Sequence, residues 1–269
     1  MNAPAPSATP RSVGVRPTDV YFFATCLVDQ FAPEAGMDAI RLIEREGIRV
    51  HFPTDQTCCG QPAYTSGYLD QARAVARAQL DIFPEPWPIV VPSGSCAGMM
   101  RHHYVELFAE DPPLLAKATA LAARVHELTN FLVDVIGFRH ADKGQPCTVV
   151  LHTSCHARRE MGSHIASRAL LDGLAQVSVA SQARPEECCG FGGTFSLRHA
   201  NISGAMVEDK LKALVDTGAS RVVSADCGCL MNILGHAAHS DLQAGITQPS
   251  MPGEHIASFL WRRTAGETS

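Results

Sequence analysis

The chain carries one cysteine pattern twice: Cys26, then Cys58-Cys59 followed by Gly60, then Cys96, and again Cys155, then Cys188-Cys189 followed by Gly190, then Cys229. Cys155 follows Cys26 by 129 residues, each member of the second pair follows its counterpart by 130, and Cys229 follows Cys96 by 133. Unrelated cysteines do not hold a register over such distances. The chain therefore reads as a duplication in which each copy draws four thiols from distant points onto one centre. Of the ten cysteines, only Cys147 and Cys227 fall outside the pattern.

Each copy alternates strand and helix. Residues 19–23 form a short apolar strand that runs into Cys26, and residues 36–46 place Met37, Ile40, Leu42 and Ile43 at helical spacing. A strand over 48–52, the Cys58-Cys59-Gly60 loop, a helix over 69–82 and a strand over 89–91 lead to Cys96. The second copy repeats the plan with strands at 147–151, 177–179 and 221–223 and helices at 165–174 and 206–217. Similar closing helices are expected from His126 to Leu132 and from His255 to Leu260. This alternation predicts an α/β fold of two similar lobes related by a pseudo-twofold axis, each a mainly parallel sheet flanked by helices. Every cysteine site follows a strand, so all converge on the carboxyl edges of the sheets. The expected layout is a disordered arm over 1–18, a first cysteine-rich domain over 19–140 and a second over 146–265, joined through the polar stretch 139–145.

At 269 residues with 46% hydrophobic content, the chain is long enough to bury two cores. A formal charge of −5 with scattered Lys and Arg offers no stripe for nucleic acid. The longest apolar runs fall far short of the ~20 residues of a membrane span, so no integral membrane segment is expected. The Ala/Pro/Ser-rich start has no apolar stretch of signal-peptide type. Ten cysteines then point to a reducing cytoplasm, where thiols are left for metals.

Iron-sulfur clusters, zinc and thiol-disulfide chemistry compete for the pattern. Structural zinc is usually held by compact C-x2-4-C knuckles, whereas here the sites are about thirty residues apart and the close pair is adjacent. Adjacent thiolates suit a polynuclear centre, which favours iron-sulfur while zinc stays open. The candidate ligands are Cys26, Cys58, Cys59 and Cys96 in the first copy and Cys155, Cys188, Cys189 and Cys229 in the second, with Cys227 a candidate fifth thiolate in the second alone. Cys147 has no counterpart and reads as a packing residue.

The segments Gln56-Thr57-Cys58-Cys59-Gly60-Gln61-Pro62, Pro92-Ser93-Gly94-Ser95-Cys96, His152-Thr153-Ser154-Cys155-His156, Cys188-Cys189-Gly190-Phe191-Gly192-Gly193 and Cys229-Leu230-Met231-Asn232 resemble the lactate utilisation protein A family of CCG-domain proteins. Related domains occur in the heterodisulfide reductase B subunit and the glycolate oxidase iron-sulfur subunit. The resemblance implies tandem iron-sulfur domains, of 4Fe-4S type with one cluster per domain, in an electron-transferring oxidoreductase. It also implies oxidation of L-lactate to pyruvate with companion iron-sulfur and accessory proteins as partners. The wider superfamily usually ends its last motif in C-x-x-C, and the positions equivalent to its first cysteine are here Ser93 and Asp226. Cluster type is therefore left open among a cubane, a non-cubane centre with an oxygen ligand, and zinc.

His156, Arg158 and Arg198 are candidates for substrate binding or proton transfer, because an imidazole can carry protons and a guanidinium can clamp a carboxylate. His152 and His156 flank Cys155, where a neutral imidazole can ligate metal or carry a proton; for His152, which ends its strand, the structural reading is the stronger of the two. The Gly-rich loop at 190–193 lacks the strand-GxGxxG-helix context of a nucleotide site.

Overall fold

The computed structural model describes residues 16–265. Its strands are β1 (Asp19–Phe22), β2 (Arg49–His51), β3 (Ile89–Val91), β4 (Val125–Glu127), β5 (Cys147–His152), β6 (Val177–Ala180), β7 (Arg221–Ser224) and β8 (Gly253–His255). They form two four-stranded sheets, in the orders β2-β1-β3-β4 and β6-β5-β7-β8, with every pairing parallel. The fold is α/β with two similar lobes, one sheet to each copy of the cysteine pattern. Of the expected N-terminal arm, residues 1–15 lie outside the described residues, and Thr18 reaches the sheet, its carbonyl accepting from Arg49 N–H at 2.8 Å.

The inner strands β1, β3, β5 and β7 carry apolar residues on both faces, and the period of two sends alternate residues to different cores. Val20 and Phe22 face a central core, whereas Tyr21 and Phe23 face an outer one. In the second lobe Val149 and Val223 face the same central core, and Val150 and Val222 face an outer core of their own. The central core is thus shared by the two copies and lies between the sheets.

Helices that fill this centre are exchanged in a reciprocal way. The helix Ile256–Ala265, which closes the second copy, packs on Pro33–Glu44 of the first. The turn Leu128–Asn130 and its π-helical extension Phe131–Val135, which close the first copy, pack on Ser163–Asp172 of the second. Near the thiols the same reciprocity recurs: Gly94–Gly98 lies against Ala157–Met161, and Cys26–Phe31 against Cys227–Gln243. This is the packing that a pseudo-twofold axis generates.

Three features depart from the expected plan. β4 and β8 are strands where helix starts were expected, because three-residue strands such as Val125-His126-Glu127 are too short to show alternation. The helix Pro112–Ala122 has no counterpart in the second lobe. It begins in the usual way, with Asp111 accepting from Leu114 N–H and Pro112 in the first turn. The second lobe uses one long helix, Cys227–Gln243, over the same interval.

Candidate metal centres

Because all strands of a lobe are parallel, the loops that follow them gather at one edge. Cys26 follows β1, Cys58 and Cys59 follow β2, and Cys96 follows β3, with the same order in the second lobe. The thiols meet as two strings. Cys26 contacts Cys58, Cys58 contacts Cys59, and Cys59 Sγ lies 3.3 Å from Cys96 Sγ. In the second lobe Cys155 contacts Cys188, Cys188 contacts Cys189, and Cys189 contacts Cys229. All ten cysteines are free.

The backbone is bent to bring this about. Thr25, directly before Cys26, takes a φ of 68°, a costly value for a β-branched residue, while its hydroxyl accepts from Val28 N–H at 3.3 Å to cap the helix. Gly60 and Gly190 take φ values of 87° and 85°, which turns their N–H groups onto Cys58 Sγ at 3.5 Å and Cys188 Sγ at 3.3 Å. Tyr104 Oη donates to the carbonyl of Cys59 at 2.9 Å, and Asn232 Nδ2 donates to that of Cys189 at 2.8 Å. Different residues thus pin the same carbonyl in each lobe. Gln56 Nε2 donates to Phe22 O and Gln182 Nε2 to Leu151 O, tying each paired-cysteine loop to its central strand.

Electrostatically each string has an anionic centre. Hydrogen bonds from Cys26 and Cys59 pull the Cys58 thiol down to about 3, and those from Cys155 and Cys189 pull Cys188 down to about 2. Their neighbours Cys26 and Cys155 are pushed up by the same contacts and by burial. Four thiols at this spacing cannot all ionise against one another unless a cation balances them. Soft, converging sulfur donors fit an iron-sulfur cluster or zinc.

Both strings open onto one cavity of about 670 Å³ between the lobes. Its wall includes the eight repeated cysteines and Cys227. The loop from Phe191 to Arg198 lines it from the second lobe, and Ser66 Oγ meets Thr194 Oγ1 at 2.6 Å to join that loop to the first lobe. His156 and Arg198 line the wall. His156 Nδ1 lies 3.5 Å from Cys155 Sγ. Arg158 is turned aside, donating to Thr153 Oγ1 at 3.1 Å. Cys227 is buried between the strings, and its thiol is pushed up to about 12 by burial first and then by Asp226, Cys96 and Cys229. Cys147, at the far end of β5, packs on the central core.

Two placements go beyond the sequence reading. Ser93 and Asp226, the positions that hold cysteine in the wider superfamily, meet across the lobe interface: Asp226 Oδ1 accepts from Ser93 Oγ at 2.8 Å, Ser95 N–H at 3.1 Å and Ser95 Oγ at 3.0 Å. His255 sits below them, its Nε2 3.1 Å from both Pro92 O and Ala225 O. His152 is fully buried with neither ring nitrogen partnered, and one of its nitrogens lies within 4.8 Å of Cys189 Sγ and Cys229 Sγ. Burial, followed by the nearby Lys210 charge, pulls His152 down to about 4 and so keeps the imidazole neutral. The signal was available in the duplication itself, since His152 and Phe23 both stand three residues before the first cysteine of their copies.

Residues 20–101 and 149–234 match the CCG family of cysteine-rich domains. The chain is 41% identical over 241 residues to lactate utilization protein A of Bacillus subtilis (strain 168), covering 90% of this chain and 98% of that protein. It is 44% identical over 219 residues to lactate utilization protein A of Shouchella clausii (strain KSM-K16), covering 81% and 90%. A hypothetical protein from Helicobacter pylori of known crystal structure aligns with a TM-score of 0.59 at 10% identity, over 98% of this chain and 52% of that one, a likeness of fold alone. Among the described residues, no helix is long and apolar enough to cross a membrane.

Proposed function

The chain belongs to the lactate utilization protein A family, with two cysteine-rich CCG domains, and from that premise we propose that it is the iron-sulfur electron-transfer subunit of a complex that oxidises L-lactate to pyruvate. The observation that carries the reading is the meeting of two four-thiol strings on the wall of one cavity. Cys26, Cys58, Cys59 and Cys96 would hold one cluster, and Cys155, Cys188, Cys189 and Cys229 the other. When bound, such clusters supply one-electron acceptors whose potentials follow the charge, burial and hydrogen bonds around the sulfurs.

The chain's own residues set those conditions. The N–H groups of Gly60 and Gly190 stabilise the two anionic sulfurs. Phe191 and Phe195 add apolar surface to the cavity wall. Arg198 on its wall offers a charge for the carboxylate of a small 2-hydroxy acid, and His156 a group able to carry a proton. Glycolate carries the same functional groups as lactate and is the neighbouring substrate. Companion iron-sulfur and accessory proteins of a lactate utilisation system would deliver or remove the electrons, in a reducing cytoplasm that suits the free thiols.

A second reading, a zinc-stabilised docking protein without electron transfer, is favoured by the mixed imidazole and thiol set at His152, Cys189 and Cys229. Elemental analysis of anaerobically purified protein separates the two: iron with acid-labile sulfide is expected, and stoichiometric zinc with neither would overturn the proposal. L-lactate-dependent dye reduction that rises when the companion proteins are added is the expected functional result.

A further inference from the structure

His152 lies beneath the second thiol string at the carboxyl end of β5, in the interior of the lobe. A neutral imidazole has one N–H donor and one lone pair. Leaving such groups buried without partners is costly, and folded proteins rarely do so. Both ring nitrogens of His152 are in that state, and the ring is held against two sulfurs, Cys189 Sγ and Cys229 Sγ, with all three donor atoms within 4.8 Å of one another. Donors bound to one metal at about 2.0–2.3 Å stand roughly 3.3–3.8 Å apart. A small closing movement of the side chains on a metal therefore satisfies the lone pair of His152 and both thiolates together.

We infer that His152 is a ligand of the metal centre in the second lobe, a nitrogen donor beside Cys189 and Cys229, and that the first lobe has no such ligand because Phe23 stands in its place. The inference rests on the metal-binding reading given above but not on the identity of the metal. It makes His152, rather than Cys227, the donor that distinguishes the second centre. Cys227 has Cys96 of the first string as well as Cys229 of the second in its surroundings, whereas His152 touches the second string alone.

The test uses the full chain, purified without oxygen from cells grown on 15N-labelled histidine. Metal and sulfide contents are measured first, and pulsed electron paramagnetic resonance is then recorded in the paramagnetic redox state. The expected result is a directly coordinated histidine nitrogen on one of two centres, absent from His152→Phe, which copies the first lobe, and kept in His156→Phe. No strongly coupled histidine nitrogen in the unsubstituted protein, a result that needs no variant to fold, would overturn the inference. So would a signal that survives in His152→Phe. If the metal is zinc without sulfide, the iron-sulfur reading fails while the inference is still decided by zinc X-ray absorption: a nitrogen in the coordination shell that His152→Phe removes supports it, and an all-sulfur shell overturns it. Protein that takes up no metal, even after reconstitution with iron and sulfide or with zinc, would sink both.

Discussion

The first lobe and the second share a frame and differ where they face the thiols. Sheet order, paired-cysteine loop, positive-φ glycine and the glutamine that ties the loop to its strand all recur. Around that frame, Phe23 is replaced by His152 and Ser93 by Asp226. Gly60 lies over Ala72 and Val75, and Gly190 over Ser203 and Met206. Seven residues beyond Ala72 and Ser203 come the buried Gln79 and the buried Lys210. The second centre therefore has an imidazole and an ammonium near it where the first has a phenyl ring and an amide, while the Ser93 hydroxyl and the Asp226 carboxylate meet between the two. Packing against a shared core holds the frame in common, since a slip of one residue in any strand would send its apolar side chains to the wrong face. Groups that touch only the sulfurs are free of that constraint, and through them a duplication can tune two centres apart.

The sharpest way to break the comparison is to remove one thiol from each lobe. Cys59→Ser and Cys189→Ser should each lose about half of the bound metal and leave the other centre's spectrum intact, since each centre's binding depends on its own ligand set. Cys147→Ala is the control and should leave metal content unchanged. Loss of both centres in either serine variant would mean that the lobes do not bind independently, and equal loss in the control would overturn the ligand assignment.

A second difference concerns the residue that ends the last strand of each lobe, Glu127 in β4 and His255 in β8. Burial pushes the Glu127 carboxyl from an ordinary 4.5 up to about 8, against the pull of its hydrogen bonds from Thr129 and Asn130. The folded chain then keeps a proton that the unfolded chain releases above 4.5, so this contribution to stability is full below 4.5 and falls as pH rises towards 8. The slope is at most about 1.4 kcal/mol per pH unit. His255 works the other way, because burial lowers it and its contribution is lost as pH falls below the ordinary 6.5. Urea unfolding across pH 5 to 8 should show Glu127→Gln, which keeps the cap acceptor without the charge, with a flatter decline than the parent. An unchanged slope would remove Glu127 from the account.

A smaller contrast lies in the lobe contacts. A Cβ on Gly94 would stand 2.3 Å from Ala157 Cβ and 2.7 Å from its Cα, whereas one on Gly228 would meet the Phe191 ring at 2.4 Å. Overpacking costs roughly 1–3 kcal/mol. Gly94→Ala should fall at the upper end, because backbone cannot yield, and Gly228→Ala at the lower end, because the ring can turn towards the cavity. Equal losses in chemical denaturation would show the two contacts to be equally rigid.

How much of this was legible beforehand varies from residue to residue. The strands leading to Cys26, Cys96, Cys155 and Cys229 were readable because short apolar runs before a cysteine mark the end of a buried parallel strand. β4 and β8 were not, since three residues carry no period. The candidate ligands came from the constant offset, and their convergence within each lobe followed from the parallel order of the strands. The duplication sets His152 against Phe23 of the first copy, but nothing local distinguishes an imidazole packed among aliphatic side chains from one held under two sulfurs.

The sequence by itself determined the duplication, the α/β class and the edge on which each set of thiols gathers, because period and register are local properties that survive without knowledge of partners. Only the tertiary structure decided that the closing helix of each copy packs on the first helix of the other, that both thiol strings face one cavity, and that Ser93 meets Asp226 across the interface. An apolar face records that it must be covered, not by what. Residues 133 positions apart are brought into hydrogen-bonding distance by the packing of whole sheets and helices, which no short stretch of chain encodes.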